Sequence, residues 1–499
     1  MDKEIAALKS NNTWIECELP AQKKAIGCKW VYKVKLKSDG SIERLKARLV
    51  AQGFTQKYGI DYLETFSPVV KMTTVRCVLA LAASHSWSLF QLDINNAFLH
   101  GDLHEEVYMK MPQGIPNPKN LVCKLVKSLY GLKQVSRQWF HKLNTDLQSQ
   151  GFIQSKNDYS LFLKGSEHTL VIVIVYVDDI IITGEDVPSI LQLKQHLHDT
   201  FSIKDLGQLH FFLGIEVSHL KNGIVLTQRK FTREMLTESG LDVSKQAKTP
   251  FPLHLKLHSD EGDFYSDPAQ YRSLVGKLNF LTHTRPDLSF AVQALSQFMH
   301  APRQSHFLAL HHVLRYLAST IGQGIPLHAT EQLTLQGYSD SDWASCPNTR
   351  RSITGYVILL GTSPISWKSK KQCTISRSSS EAEYRAMAVA SSEITWLVRL
   401  LEELGVKGLK PVKLNCDNQS AIHIGKNPVF RERTKHIELD CHFTRDKVLE
   451  GFLELHYVPT AEQLADVFTK SLSSPQHNHL LSKLGLVHPS PVPSLRGGC

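Results

Sequence analysis

Two carboxylates stand side by side, Asp178 and Asp179, inside VIVIVYVDDIIITG, where almost every other residue is apolar. Two strand-like apolar runs joined by so short a break predict a two-residue hairpin with the acid pair at its tip. Asn-Gly or Asp-Gly would be the easy choice for such a turn, which favours φ > 0. Like charges side by side on a buried hairpin are unfavourable unless a cation neutralises them. The strand-like stretch SLFQLDI, Ser88 to Ile94, carries a third carboxylate, Asp93, and pairing beside the hairpin would bring it to the other two. Such a trio offers oxygen ligands to two Mg²⁺ ions, with Mn²⁺ as a substitute; a two-metal site lowers the pKa of an attacking hydroxyl and clamps a leaving pyrophosphate. The chemistry implied is nucleotidyl transfer. Asp is also an ordinary turn residue, and it is the apolar flanks that argue for a pair held by a core.

Four further acids fall at element ends in the last third of the chain: Asp340 just past a strand, Glu383 in the first turns of a long helix, Asp417 at the end of VKLNC, and Asp466 in the last helix. The predicted order of three strands, helix, strand, helices, strand and helix is one that folds into an RNase H-like sheet and brings these ends to one face. Convergent carboxylates there would bind two Mg²⁺ ions, one activating water and one stabilising the departing 3′-oxygen. Taken singly, Glu383 equally suits the helix dipole, and Asp417 equally suits a cap before Asn418.

Tyr176-Val177-Asp178-Asp179 resembles the YxDD motif of reverse transcriptases. The surrounding GCKWVYKVKLKSDGSIERLKARLVAQGFTQKYGIDYLETFSPVV, QLDINNAFLHGDLHEEVYMKMP, SLYGLKQ and LGQLHFFLGIEV resemble the pol region of copia-type LTR retrotransposons. The resemblance implies that Asp93, Asp178 and Asp179 are polymerase metal ligands and that Phe98 is the steric gate against a ribose 2′-OH. It further implies that Lys46 and Arg48 face the incoming triphosphate, and that Tyr130 and Gly131 build the nucleotide pocket. By residue type alone, Phe98 also suits a core, Lys46 and Arg48 a solvated face, and Tyr130-Gly131 a plain turn. GYSDSDWA, RRSITGYVILLG, ISWKSKKQCTISRSSSEAEYRAMA, LNCDNQSAI, RTKHIELDCHF and YVPTAEQLADVFTKSL resemble the RNase H domain of the same elements, which selects Asp340 over Asp342 and Glu383 over Glu381. TRPDLSFAVQALSQFM and HFLALHHVLRYLAS resemble the thumb and connection helices. Two departures stand out. Lys133-Gln134-Val135-Ser136-Arg137 lacks the proline of the usual KQAPR, which is expected to loosen the next helix start. Tyr457-Val458-Pro459 stands where cellular RNases H often carry a histidine.

The elements that must position these residues divide the chain. Residues 26–241 read as alternating strands (Lys29 to Lys35, Ser88 to Ile94) and helices (Thr73 to Ser84, Ser136 to Gly151), an α+β unit read through the resemblance as fingers and palm. No element is assigned to the lead-in, 1–25. The polar, aperiodic 242–268 reads as a linker. Helical spacings follow at Tyr271, Leu274, Val275, Leu278 and Leu281, then after Pro286 and over His306 to Ala318, closing a thumb and connection segment to 325. Residues 330–471 hold strands, the helix opened by the capping box Ser378-x-x-Glu381, helices at Asn418 to Lys426 and Thr434 to Glu450, and a last helix capped by Thr460-x-x-Gln463. The tail 472–499 reads as loose toward its Pro- and Gly-rich end. The expected fold class is thus α+β, a right-hand polymerase followed by a helical connection and an RNase H-like α/β domain.

Composition fits that reading. Of 499 residues, 42% are hydrophobic and 21% charged, and 57 Lys and Arg against 47 Asp and Glu leave +10, a balance that favours polyanions. The nine cysteines stand singly, without zinc or disulfide spacing, and no run is long and apolar enough for a membrane span or signal peptide. An intracellular protein is expected, in cytoplasmic virus-like particles or the nucleus, with RNA template, DNA primer, RNA–DNA hybrid and dNTPs as partners. No CCHC knuckle, Asp-Thr-Gly, Asp-Ser-Gly or His-His-Cys-Cys pattern marks a nucleocapsid, protease or integrase. The alternative expectation is therefore a truncated or host-recruited fragment that binds nucleic acid without catalysis.

Overall fold

The structure, a computed structural model, describes residues 1–36, 41–426 and 438–486. It forms two compact units: Met1–Lys71 with Ser88–Leu209, and Met72–Trp87 with the described residues from His210 onward.

The first unit is built on a six-stranded antiparallel sheet in the order Ile203–Gln208, Phe90–Ile94, Asp179–Gly184, Val171–Tyr176, Leu161–Lys164, Ile153–Gln154. Its central strands are continuous apolar runs because both faces are covered. Val173, Val175, Ile180 and Ile182 pack with Trp139, Leu143, Leu147, Ile190 and Leu197 of helices Val135–Ser149 and Val187–Phe201. On the opposite face Ile172, Ile174 and Ile181 are buried as well. A second core joins the hairpin Cys28–Leu36/Ile42–Ala51 to the three-stranded sheet Trp14–Cys17, Val122–Lys127, Asp102–Lys110. The lead-in is ordered: helix Asp2–Ser10 drives Leu8 into this core, and Trp14–Cys17 pairs with Val122–Lys127.

The second unit takes in helix Met72–His85, which is apolar all round and buried from Thr74 to Ala82, as such a composition requires. Its one charge, Arg76, donates from Nε to the Ile365 carbonyl (2.7 Å) and from Nη1 to the His283 carbonyl (3.0 Å), with the guanidinium over the Trp367 ring. A four-stranded sheet, Phe211–Phe212, Ile215–Leu220, Gly223–Thr227, Ile325–His328, adds a last strand that the sequence reading left out. Helices Arg229–Ser239, Pro268–Leu281, Ser289–Ser296 and Gln304–Ser319 share one core. The stretch 242–268 is no free linker: Ala247, Phe251 and Leu257 are buried in that core. It lacks a period because the helices around it, not its own backbone, dictate which side chains turn inward.

The remaining sheet runs Ser363–Lys371, Ile353–Leu360, Leu335–Asp342, Val412–Cys416, Leu453–Tyr457, the first three antiparallel and the last two parallel to Leu335–Asp342. Helix Ser379–Glu403 packs on it, with the Ser378 hydroxyl accepting from the Glu381 N–H. The long helix expected from Thr460 is instead two 3₁₀ turns, Thr460–Glu462 and Leu464–Phe468, ahead of helix Ser474–Lys483. Gln463 explains the break: its amide donates to the Ser339 carbonyl and accepts from the Ala465 N–H, which pins the segment to the sheet. The helix expected over Thr434 to Glu450 is Glu438–Leu449, its first residues lying outside the described residues, as do part of RTKHIELDCHF and the end of the tail. Among the described residues no helix is long and apolar enough to cross a membrane.

Candidate active sites

Sheet register builds the first site. Asp179 pairs directly with Asp93 across neighbouring strands, and the Ile94 N–H donates to the Asp178 carbonyl (2.9 Å). The acid pair is not the loop itself. Tyr176 pairs with Asp179, so the two loop residues are Val177 and Asp178, and Asp179 opens the strand. Only Val177 takes a positive φ, +57°, a costly conformation for a β-branched residue. It is held by Trp139, 1% exposed, whose indole N–H donates to the Val177 carbonyl at 2.7 Å. Burial pushes the Asp178 and Asp179 carboxyls up, and the neighbouring acids push further: Asp93 on Asp178, Asp178 and Asp93 on Asp179.

The residues expected to form a nucleotide pocket gather beside this hairpin. Lys46 and Arg48 are two apart on one strand and so share a face, and the charge of both reaches Asp178. The Arg48 guanidinium lies over the Tyr130 ring at 4.3 Å and keeps its buried Nε without a hydrogen-bond partner. Phe98, in the 3₁₀ turn Ala97–His100, meets the same ring edge-on at 5.0 Å and is half-buried. Gly131, at φ +93°, passes so close to strand Ile42–Ala51 that a Cβ would stand 2.1 Å from the Ala51 carbonyl oxygen. Its place is set by backbone packing, with the Ala51 N–H donating to the Tyr130 carbonyl.

The second site gathers acids from four elements. Asp340 lies in the buried run 339–341 of Leu335–Asp342, Glu383 lies in the first turns of Ser379–Glu403, and Asp417 follows Val412–Cys416. Asp466 sits in the 3₁₀ turn Leu464–Phe468, not in an α-helix. Carboxylate oxygens of Asp340, Asp417 and Asp466 lie within 4.8 Å of one another, and Glu383, Cys416 and Asp417 form a second such set. Among the described residues these are the sets of three that meet that distance; the Asp93 trio does not. Glu381 is spent elsewhere, accepting from the Arg377 N–H and pairing with Arg385 at 2.9 Å, and Asp342 belongs to neither set.

Burial and mutual repulsion dominate the electrostatics here. Burial, then Asp340 and Asp417, raises the Glu383 carboxyl well above its usual range; burial and Asp340 raise Asp417; and Asp466 is pushed up to about 7 by burial, then by Asp340. Both Asp466 oxygens are buried, and among the described residues the one cationic group close to them is Lys470, with Nζ 2.9 Å from Oδ1. Buried carboxylate oxygens crowded together from four acids, with more negative charge than the single lysine beside them offsets, fit a hard divalent cation. Three neighbours escaped the sequence reading: Cys416, whose thiol lies 3.8 Å from Glu383 Oε2; Thr469, whose hydroxyl donates to Asp340 Oδ2; and Lys470, whose Nζ lies 2.9 Å from Asp466 Oδ1 and 3.6 Å from Asp340 Oδ2. Only the spacing Asp466-x-x-Thr469-Lys470, one turn past an acid, hinted at the last two.

The chain also has relatives among known proteins. Residues 11–252 match the family model described as Reverse transcriptase (RNA-dependent DNA polymerase). The chain is 45% identical over 98% of its length to 34% of the retrovirus-related Pol polyprotein from transposon RE1 of Arabidopsis thaliana. It is 32% identical over 61% of its length to the whole of the putative transposon Ty5-1 protein YCL074W of Saccharomyces cerevisiae. A solved foamy viral protease-reverse transcriptase in complex with ds DNA aligns with 92% of this chain and 69% of that one, at 12% identity and a TM-score of 0.48. The chain belongs to the copia-type retrotransposon Pol family of reverse transcriptases. It spans about a third of the length of the curated Pol polyproteins from transposons RE1, RE2 and TNT 1-94.

Proposed function

We propose that this chain copies RNA into DNA at Asp93, Asp178 and Asp179, and cleaves the RNA strand of RNA–DNA hybrids at Asp340, Glu383, Asp417 and Asp466. In this reading residues 26–241 are fingers and palm, 242–325 thumb and connection, and 330–471 the RNase H-like domain. The observation that carries it is that two separate sets of carboxylates, on different sheets, are gathered at a cost in mutual repulsion and burial that bound cations would relieve.

Each part of the first site then has a task. The template-paired dNTP enters beside the hairpin, and Arg48, with Lys46 on the same strand, meets its triphosphate; the unspent Nε of Arg48 suits an anion. Phe98, braced edge-on by Tyr130, closes the space where a ribose 2′-OH would lie. Gly131 lets the chain carrying Tyr130 run close under the fingers strand. Asp93 and Asp179 stand opposite in register and, with Asp178, would hold Mg²⁺, which supplies charge neutralisation and acidifies the primer hydroxyl. In the second site Asp340, Glu383, Asp417 and Asp466 would hold the same ion around the scissile phosphate.

The test is primer extension on an RNA template with dNTPs and Mg²⁺, alongside cleavage of a labelled RNA–DNA hybrid by the same preparation. Both reactions are expected. A folded chain that binds the hybrid but performs neither would refute the reading.

A further inference from the structure

One cation is already present among the second set of acids. Lys470 Nζ lies 2.9 Å from Asp466 Oδ1 and 3.6 Å from Asp340 Oδ2, and its charge also reaches Glu383 and Asp417. Asp466 is fully buried, and Lys470 is its charge partner among the described residues. These oxygens are the same ones that the reading above assigns to the metal. A divalent cation needs them at about 2.0–2.1 Å if it is Mg²⁺. An ammonium at hydrogen-bonding distance from one of them and a metal ion on it repel each other strongly in a site so poorly hydrated. The lysine side chain is one-third exposed, so it has somewhere to go. It lines a cleft of about 450 Å³ in the same unit, whose wall also carries Lys256, Arg350 and the half-exposed ring of Trp343.

We propose that Lys470 is an exchangeable counter-cation of the hybrid-cleaving site: it neutralises Asp340 and Asp466 when divalent cation is scarce, is displaced when the cation binds, and then turns into the adjoining cleft to contact a phosphate of the hybrid. The proposal rests on the hybrid-cleavage reading. Asp466 and Lys470 stand four apart, one turn, so that a rotation of the lysine side chain alone moves the charge from carboxylate to cleft. Among the charged groups on the cleft wall, Lys256, Arg350 and Lys470 outnumber the one acid, Asp342, and the Trp343 ring lies beside them, a combination suited to a sugar–phosphate backbone rather than to base edges.

The experiment uses the full chain with Lys470→Gln and Lys470→Arg. Thermal melting is followed across a Mg²⁺ titration that starts in chelator. With the competing charge gone, Lys470→Gln is expected to melt earlier in chelator and to reach half-maximal Mg²⁺ stabilisation at a concentration lower on the order of tenfold. Lys470→Arg is expected to behave like the unaltered chain. Binding of a labelled hybrid in Ca²⁺, across a range of KCl, reads the second half: Lys470→Gln should reduce the slope of log affinity against log salt by about one. An unchanged Mg²⁺ midpoint in Lys470→Gln overturns the exchange, and so does a loss shared equally by both variants, which would assign the effect to the aliphatic stem. An unchanged salt slope overturns the phosphate contact. If the unaltered chain neither responds to Mg²⁺ nor cuts the hybrid, it is the underlying reading that fails.

Discussion

Trp139 offers the sharpest test of how the polymerase hairpin is held. Its indole N–H donates to the carbonyl of Val177 at 2.7 Å, and Val177 is the loop residue held at φ +57°. Trp139→Phe keeps an aromatic ring against Phe201 but removes the donor. A buried carbonyl left without its partner costs about 1–3 kcal/mol. The backbone strain at Val177 is of the same size, about 1–3 kcal/mol, and the lost bond is what opposes its relief. The first unit should therefore melt lower, by about 2–4 °C for each kcal/mol lost. A relaxed turn also moves Asp178, its other residue, and a displacement near 1 Å is worth about 10²-fold in rate. Single-turnover primer extension should show a fall of that order in the rate at saturating dNTP, with hybrid cleavage unchanged. If Trp139→Phe melts lower yet extends primers at the full rate, the indole is only core and the turn is held by something else.

Other expectations follow from single contacts. Phe98→Ala removes the ring braced by Tyr130 and should raise incorporation of rNTP relative to dNTP, read as the ratio of kcat/KM values; an unchanged ratio with dNTP activity intact would return Phe98 to the core. Gly131→Ala drives a Cβ to 2.1 Å from the Ala51 carbonyl oxygen at φ +93° and should destabilise the first unit by more than about 1 kcal/mol, measured by melting; a neutral result would mean the turn has room to shift. Asp466, whose carboxyl is pushed up to about 7 from its ordinary 3.8, contributes to the pH dependence of metal binding together with the raised Glu383 and Asp417. Between those values the folded chain keeps a proton that the unfolded chain has lost, so this stability is complete below pH 4 and gone above pH 7. A divalent cation replaces that proton, and the rise in melting temperature on adding Mg²⁺ should therefore grow from pH 5 to pH 8. The difference with and without Mg²⁺ cancels histidines elsewhere, and a rise that shrinks over that range would contradict the assignment.

Much of this was legible before any coordinates, and the exceptions have physical causes. VIVIVYVDDIIITG reads as a hairpin because two apolar runs of that length can be satisfied only inside a sheet. The turn residue was misplaced by one because Val177 at positive φ is stabilised by an indole 38 positions away, which no local pattern reports. The acids at element ends converge because element order sets sheet order, and sheet order sets which ends meet. Gln463 broke an expected helix because its side chain bonds to Ser339, distant in sequence. The burial of Phe251 and Leu257 was hidden for a similar reason: their partners are helices that follow them in the chain. Cys416 acquires meaning only once four acids share one place, and Lys470 is signalled in one dimension by nothing more than its place one turn past Asp466.

The central claim is that two acidic sets perform two separate reactions, and one paired assay addresses it. Asp178→Asn and Asp466→Asn are each assayed, with a melting curve, for primer extension on RNA and for cleavage of a labelled RNA–DNA hybrid in Mg²⁺. The account predicts a crossed result: Asp178→Asn loses extension by orders of magnitude and still cuts the hybrid, whereas Asp466→Asn extends primers and no longer cuts. Folded variants that lose both reactions together, or that keep the reaction assigned to the altered acid, would contradict it.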